Sequence, residues 1–334
     1  MTELVLVGCY TAETGGNGDG ISAFRRGIGG ALTLETTLPM VSPSWLVKHP
    51  TVPMVYAANE TGSGEVTSVS LAGGELEALD VVGTGGADPC HLAVTPGGRF
   101  LVCANYTGGS LAVFALSPDG RIDERTDLVR HQGHGPDAER QAAAHVHMAV
   151  PSPDGSVVSA VDLGTDEIRS YALSTEGRLT PLAVTALPPG TGPRQLVRRP
   201  GTTTAYVVGE LAGTLLTLRE TAPGAFEVTD SVRSSWAEPE VKNLAAHLEI
   251  VEDALYLSNR GPDCVTAFTG TTPSAVADQA CGAGPRHFAL VDGRCYVAAQ
   301  DEDAIIAFPL SELGEAEPER YPSGSPSFVL AATV

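Results

Sequence analysis

The fold class this sequence predicts is all-β: a seven-bladed β-propeller of four-stranded antiparallel blades. Three observations predict it. A unit of strand, Pro-Gly turn, strand, Asn-centred turn and strand recurs along the chain, and Pro89 to Leu116 (PCHLAVTPGGRFLVCANYTGGSLAVFAL) is its clearest copy. Similar units start at Pro43, His145, Pro193, Ala245 and Pro285, with a one-strand unit at Pro326, at intervals of 40 to 56 residues. Repeats of that length with four strands each are the mark of propellers. Lastly, helix-period stretches are scarce, while short β-rich runs broken by Gly (38 residues) and Pro (24) dominate.

The ends fit a closed ring. The last unit, PSFVLAATV, supplies only a first strand. The N-terminus supplies three more: ELVLVGCYT, GISAFRR and ALTLETTL. The C-terminal strand should therefore complete the blade that the N-terminus begins, which leaves no bare sheet edge at the seam. All 334 residues are assigned to this one domain.

Composition narrows the function. A formal net charge of -20 argues against nucleic-acid or anionic-membrane partners, which need clustered Lys and Arg. It leaves room for a small anionic substrate in a local basic pocket. The six cysteines are scattered without CxxC spacing, and Cys9, Cys103 and Cys295 lie inside apolar strand runs. Free buried thiols and a cytosolic location are expected. MTELVLVGCYT lacks a basic leader and reads as a strand, and no apolar run reaches membrane-spanning length. Oligomeric state is left open.

The repeat also places side chains. The loop entering the innermost strand and the loop joining the second and third strands should open on one face. The third position of each unit reads Trp45, His91, His147, Gln195, His247, His287 and Phe328. The position before it carries Arg194 and Arg286, both in Gly-Pro-Arg. The end of the second strand reads Asn59, Asn105, Asp162, Glu210, Asn259 and Gln300, with Glu60 and Arg260 one residue on. Such a polar ring at one channel end would hold a small ligand, with His91, His287, Asn105 and Arg286 as substrate contacts. The Asx residues have a structural alternative, since they also hold tight turns.

Three arginines at one mouth are notable in a chain with only 20 Lys and Arg, and their forks suit carboxylate and phosphate. Inter-blade salt bridging is the alternative. Glu210 stands out among Asn, Asp and Gln; it is expected at the solvent-filled mouth as a candidate general base. His145 and His147, two apart on a strand, should project to one face, where they could chelate a metal or act as acid and base. They close the stretch from Arg130 to Val150, which holds four of the eight histidines. No HExxH, Gly-x-Ser-x-Gly elbow, convincing Ser-His-Asp set or dinucleotide fingerprint appears.

Together, HQGHGPDAERQAAAHVHM, DLGTDEI, GPRQL, GEL, SNRG and GPRHF resemble the lactonase family of seven-bladed propellers, over essentially the whole chain. That family includes propeller-type 6-phosphogluconolactonase and 3-carboxy-cis,cis-muconate cyclase. The resemblance implies a site without metal or cofactor, with catalytic roles on His145, His147, Arg194, Glu210 and Arg260 and with Arg286 nearby. It implies hydrolysis of a sugar-acid lactone such as 6-phosphogluconolactone, water being activated by Glu210 or one of the two histidines. The alternatives are a lactone-forming or lactone-opening cycloisomerase and a non-catalytic interaction platform, for which 5% aromatics offer little support. A calcium-dependent lactonase would draw on Glu60, Asn105, Asp162 and Asn259.

Overall fold

The chain folds as seven sheets of four antiparallel strands each, arranged in a ring. The computed structural model describes residues 3–333. In every blade the first strand lies innermost and touches the first strands of its neighbours. The seam is closed as the one-strand final repeat requires. Pro326–Thr333 lies beside Glu3–Cys9, and Gly20–Arg26 and Leu32–Pro39 complete that sheet. Leu6 pairs with Leu330 and Val7 with Val329.

Burial follows strand position. The second strands, such as Met54–Asn59, Phe100–Asn105 and Val157–Asp162, are buried throughout. Both of their faces pack on adjacent blades, so they read as continuous apolar runs rather than alternating ones. Outer strands such as Leu32–Pro39 are mostly exposed. The core is accordingly a set of wedges between blades. In one, Tyr56 and Val66 of one blade pack on Leu92, Cys103 and Phe114 of the next. Each large side chain buried there contributes about 1.5–3 kcal/mol.

Entry to the inner strand has its own chemistry. In five blades a left-handed residue precedes the first-strand proline: Ser42, Asp88, Gly192, Gly284 and Ser325. At Gly192 a Cβ would meet the Leu211 side chain at 2.2 Å, so glycine is required for space as well as for φ.

Just inside each inner strand the ladder carries a bulge. Pro89 pairs with Asn105 and His91 with Ala104, which leaves Cys90 as the extra residue. The extra residues elsewhere are Ser44, Arg194, Arg286 and Ser327, and in the Ala245 repeat Ala246 and His247 lie opposite Ser258. In the third repeat Val146 pairs with Asp162 and Met148 with Val161, so the extra residue is His147. That repeat therefore begins at Val146, one residue later than its His-x-His suggests. His147 belongs with Arg194 and Arg286, and Met148 takes the position equivalent to His91. The second strands shift likewise. The partners of Pro193 and Pro285 are Gly209 and Ala299. Glu210 and Gln300 therefore align with Glu60 and Arg260, not with the Asx residues. None of the described residues forms a helix long and apolar enough to cross a membrane.

Candidate functional site

The bulge residues and the residues just after the second strands meet at one end of the ring. Bulges are common beside such sites because they re-aim a side chain. Here they turn His147, Arg194 and Arg286 into a cavity of about 470 Å³. The second strands end with Tyr10, Glu60, Tyr106, Glu210 and Arg260 in the same wall. Arg140 reaches in from the long loop before Val146, and Asp88 from the turn before Pro89.

Glu210 is the centre of one pole. It is 1% exposed and lies against three guanidinium groups. Arg140 Nη2 donates to Oε1 at 2.7 Å, and Arg194 Nη1 donates to Oε2 at 2.8 Å. Arg260 Nη2 sits 2.8 Å from Oε2, off the line of a good hydrogen bond. Burial alone would raise the Glu210 pKa, but Arg260, Arg194, His147 and Arg140 outweigh it and hold it well below the usual carboxylate range. The expected solvated mouth carboxylate is thus a buried anchor, and a carboxylate so held is a poor proton acceptor. Arg260, 14% exposed, has its own pKa lowered to about 10 by burial, with Glu210 opposing that.

His147 faces this pole. Arg194 Nη1 lies 2.6 Å from its Nε2, which must accept, so the ring proton sits on Nδ1. Burial, reinforced by Arg194, pushes the ring well below the usual histidine range. His147 is a neutral imidazole at pH 7. His145 does not share its direction. It precedes the strand, stacks on Tyr106 at 4.4 Å between centroids and does not line the cavity.

Glu60 forms the opposite pole. Tyr10 Oη donates to its Oε2 at 3.1 Å. Arg286 lies 5.0 Å over the Tyr10 ring and donates through Nε to Gln300. Burial raises the Glu60 pKa, opposed by Arg286, Tyr10 and Arg194.

The other expected residues lie elsewhere. Asn105 is fully buried; its amide donates to Ser110 Oγ at 3.0 Å, and it does not line the cavity. Asn59 and Asn259 are likewise spent on holding the connection from the preceding blade, donating to the Val41 and Ser234 carbonyls. Asp162 accepts from the His145, Gly164 and Thr165 backbones and bonds His131 at 2.8 Å. Of the four proposed calcium ligands only Glu60 faces the cavity. His91 and His287 lie below it, in an aromatic plug. There Trp45 meets His91 at 4.3 Å and Phe328 at 4.3 Å, and His247 meets His287 at 3.7 Å.

Sequence reasoning missed Arg140, Tyr10 and Tyr106, and gave Glu60 only a metal-binding role. The signal for three of these was the position after each second strand, which reads Tyr10, Glu60, Tyr106, Leu163, Glu210, Arg260 and Gln300 once the register is right, all but Leu163 and Gln300 lining the cavity. Arg140 carried no repeat signal. It is placed by its loop, where Asp137 caps the Glu139 and Arg140 amides and buried Gln141 donates to the Leu163 carbonyl.

Comparison with known proteins agrees with this architecture. The family described as Lactonase, 7-bladed beta-propeller, matches residues 4–329. The 6-phosphogluconolactonase of Bacillus subtilis is 29% identical over 277 residues, 80% of this chain and 78% of that protein. An uncharacterized protein of Lactococcus lactis subsp. cremoris is 32% identical over 262 residues, 75% of this chain and 76% of its own. The solved structure of a periplasmic gluconolactonase from Pseudomonas aeruginosa superposes with a TM-score of 0.92 at 26% identity, covering 100% of both chains.

Proposed function

Because the chain belongs to the lactonase family of seven-bladed β-propellers, we propose that its substrate is a sugar-acid lactone bearing an anionic group, with 6-phosphogluconolactone as the first candidate. One observation carries this reading. In a protein of net charge -20, four arginines (Arg140, Arg194, Arg260 and Arg286) converge on one cavity against the carboxylates Asp88, Glu60 and Glu210. A cationic lining in an acidic protein is a specific investment in an anion.

The lining also suits the reaction. As water adds to the lactone carbonyl, negative charge develops on its oxygen. Guanidinium N–H donors of Arg194 and Arg260, already oriented by Glu210, stabilise that oxyanion without reorganising. After ring opening the same donors hold the new carboxylate. A second cleft of about 290 Å³ shares the Arg260 and Arg286 wall and includes Lys242, which gives room for a phosphate-bearing tail. The six free, buried cysteines fit a reducing compartment, and a cytosolic location is part of the proposal.

The test is a panel of phosphorylated and unphosphorylated lactones, assayed above spontaneous hydrolysis, with and without chelator. We expect turnover of the lactones, higher kcat/KM on the phosphorylated ones, and no effect of chelator. No turnover of any lactone would overturn the assignment, and a preference for the unphosphorylated ring would overturn the anion argument.

A further inference from the structure

We propose that Glu60, and not Glu210, is the general base that activates water in this cavity, with Tyr10 and Arg286 as its positioning residues. The inference rests on the lactonase reading and assigns its proton transfer. The cavity holds two carboxylates at the ends of equivalent second strands, and their surroundings differ in kind. Glu210 is closed off, at 1% exposure, and its oxygens are taken by Arg140, Arg194 and Arg260. Glu60 is surrounded by protein but keeps part of its surface open to the cavity, and its side-chain donors are neutral hydroxyls, Tyr10 Oη at 3.1 Å from Oε2 and Ser44 beside it. It therefore has a free lone pair facing the space where a water would stand.

The charged and titratable groups facing Glu60 are Tyr10, Arg286, Arg194 and the Cys90 thiol. Burial raises its proton affinity, and the Ser44 hydroxyl, the two arginines and the phenol moderate that rise. Where two carboxylates in one site are pushed apart in this way, the raised one exchanges protons and the depressed one stays a fixed charge. His147 is already engaged, since its accepting nitrogen takes a hydrogen bond from Arg194 at 2.6 Å, and the third carboxylate of the lining, Asp88, comes from the turn before Pro89 and not from a second strand. The Cys90 thiol is held protonated by burial.

The step balances without a cofactor. Ionised Glu60 takes a proton from water as the water oxygen bonds to the lactone carbonyl carbon. The ring C–O bond then breaks, and protonated Glu60 returns the proton to the leaving alkoxide, regenerating the carboxylate. The product is the open hydroxy acid, whose new carboxyl ionises and remains near the arginines.

The experiment compares the parent with Glu60→Gln and Tyr10→Phe on 6-phosphogluconolactone and unphosphorylated gluconolactone, recording pH profiles of kcat and kcat/KM. Thermal melting of each variant is followed in parallel. Glu60→Gln keeps size and can still accept from Tyr10. We expect kcat to fall roughly 10²–10⁴-fold, with KM changed far less and the acid limb of the profile gone. Tyr10→Phe removes a donor that favours the ionised carboxylate, so its acid limb should move to higher pH, a shift that a merely structural tyrosine would not produce. Near-parental kcat in a folded Glu60→Gln, or an unmoved acid limb in Tyr10→Phe, overturns the inference while leaving the lactonase reading intact. Should Glu60→Gln fail to melt cooperatively, the Tyr10→Phe limb alone decides. A parent that opens neither lactone overturns both.

Discussion

Glu210 shows how one residue's role changes with its surroundings. As a loop carboxylate in water it would contribute little to folding. Buried against three guanidiniums, it balances charges that have no other carboxylate within hydrogen-bond reach among the described residues. Arg194 and Arg260 are 12% and 14% exposed, so neither can recover its hydration if the carboxylate is lost. Breaking a buried pair by neutralising one partner typically costs about 3–5 kcal/mol. Glu210→Gln should therefore lower the denaturation midpoint clearly, as well as weakening anion handling. Denaturant unfolding followed by tryptophan fluorescence would measure it, and a midpoint equal to the parent's would show that the arginines are solvated and Glu210 is not their anchor. The sequence made Glu210 conspicuous for the wrong reason. It looked exceptional among Asn and Asp residues because it was aligned one position early. Its true equivalents include Tyr10, Glu60, Tyr106 and Arg260, which line the cavity with it.

At the scale of the strand, most of the architecture was legible and the slips are slips of register. Inner strands beginning with proline were registered correctly, because the proline and the left-handed residue before it mark the entry; the second strands of the Pro193 and Pro285 repeats were not, and Glu210 and Gln300 were aligned one position early. The third repeat lacks that proline, and its His-x-His imitates the Pro-x-His of the second, so it was read one residue early. A bulge adds a residue without changing composition, which hides it from periodicity. The seam, by contrast, was readable because a lone strand and a three-stranded start can only complete each other. Its consequence is testable. Leu4, Val5, Leu6 and Val7 are all buried, and on one edge they are covered by Pro326–Thr333. A chain truncated before Pro326 should expose that edge, lose its cooperative melt and aggregate. Size-exclusion chromatography and thermal melting would report it. A truncated monomer melting at the parent temperature would mean that the seam strand does not hold the ring.

Across the whole molecule, the channel floor ties stability to pH. The ring brings seven inner strands together, and Trp45, His91, His247, His287 and Phe328 pack in the space between them below the cavity. The repeats put those histidines in one column at the sequence level, but only packing shows that they act as aromatic filler rather than as substrate contacts. His91 and His287 are 4% and 5% exposed. Burial lowers the His91 pKa to about 3, helped by His247 and Arg194, and pushes that of His287 well below its ordinary value. Unfolding frees both to take a proton near pH 6.5. Between about pH 6.5 and 3 the unfolded chain therefore binds more protons than the folded one, so stability is complete above that window and falls as pH drops through it. Each such histidine contributes a slope of roughly 1.4 kcal/mol per pH unit. Glu60, with its raised pKa, opposes the trend in the carboxylate range, and Glu210 adds to it there. The interval from pH 6.5 to 5 lies above ordinary carboxylate titration, and comparison of the parent with a His287 variant there separates the histidine from Glu60. Denaturant midpoints at pH 7.5, 6.5, 5.5 and 5.0 should be flat at first and then fall. Replacing His287 by Phe, the residue its neighbouring blade uses at the same position, should reduce the slope by the share of one histidine. A slope identical in parent and variant would mean that His287 already takes its proton in the folded state, and that the channel floor is wet.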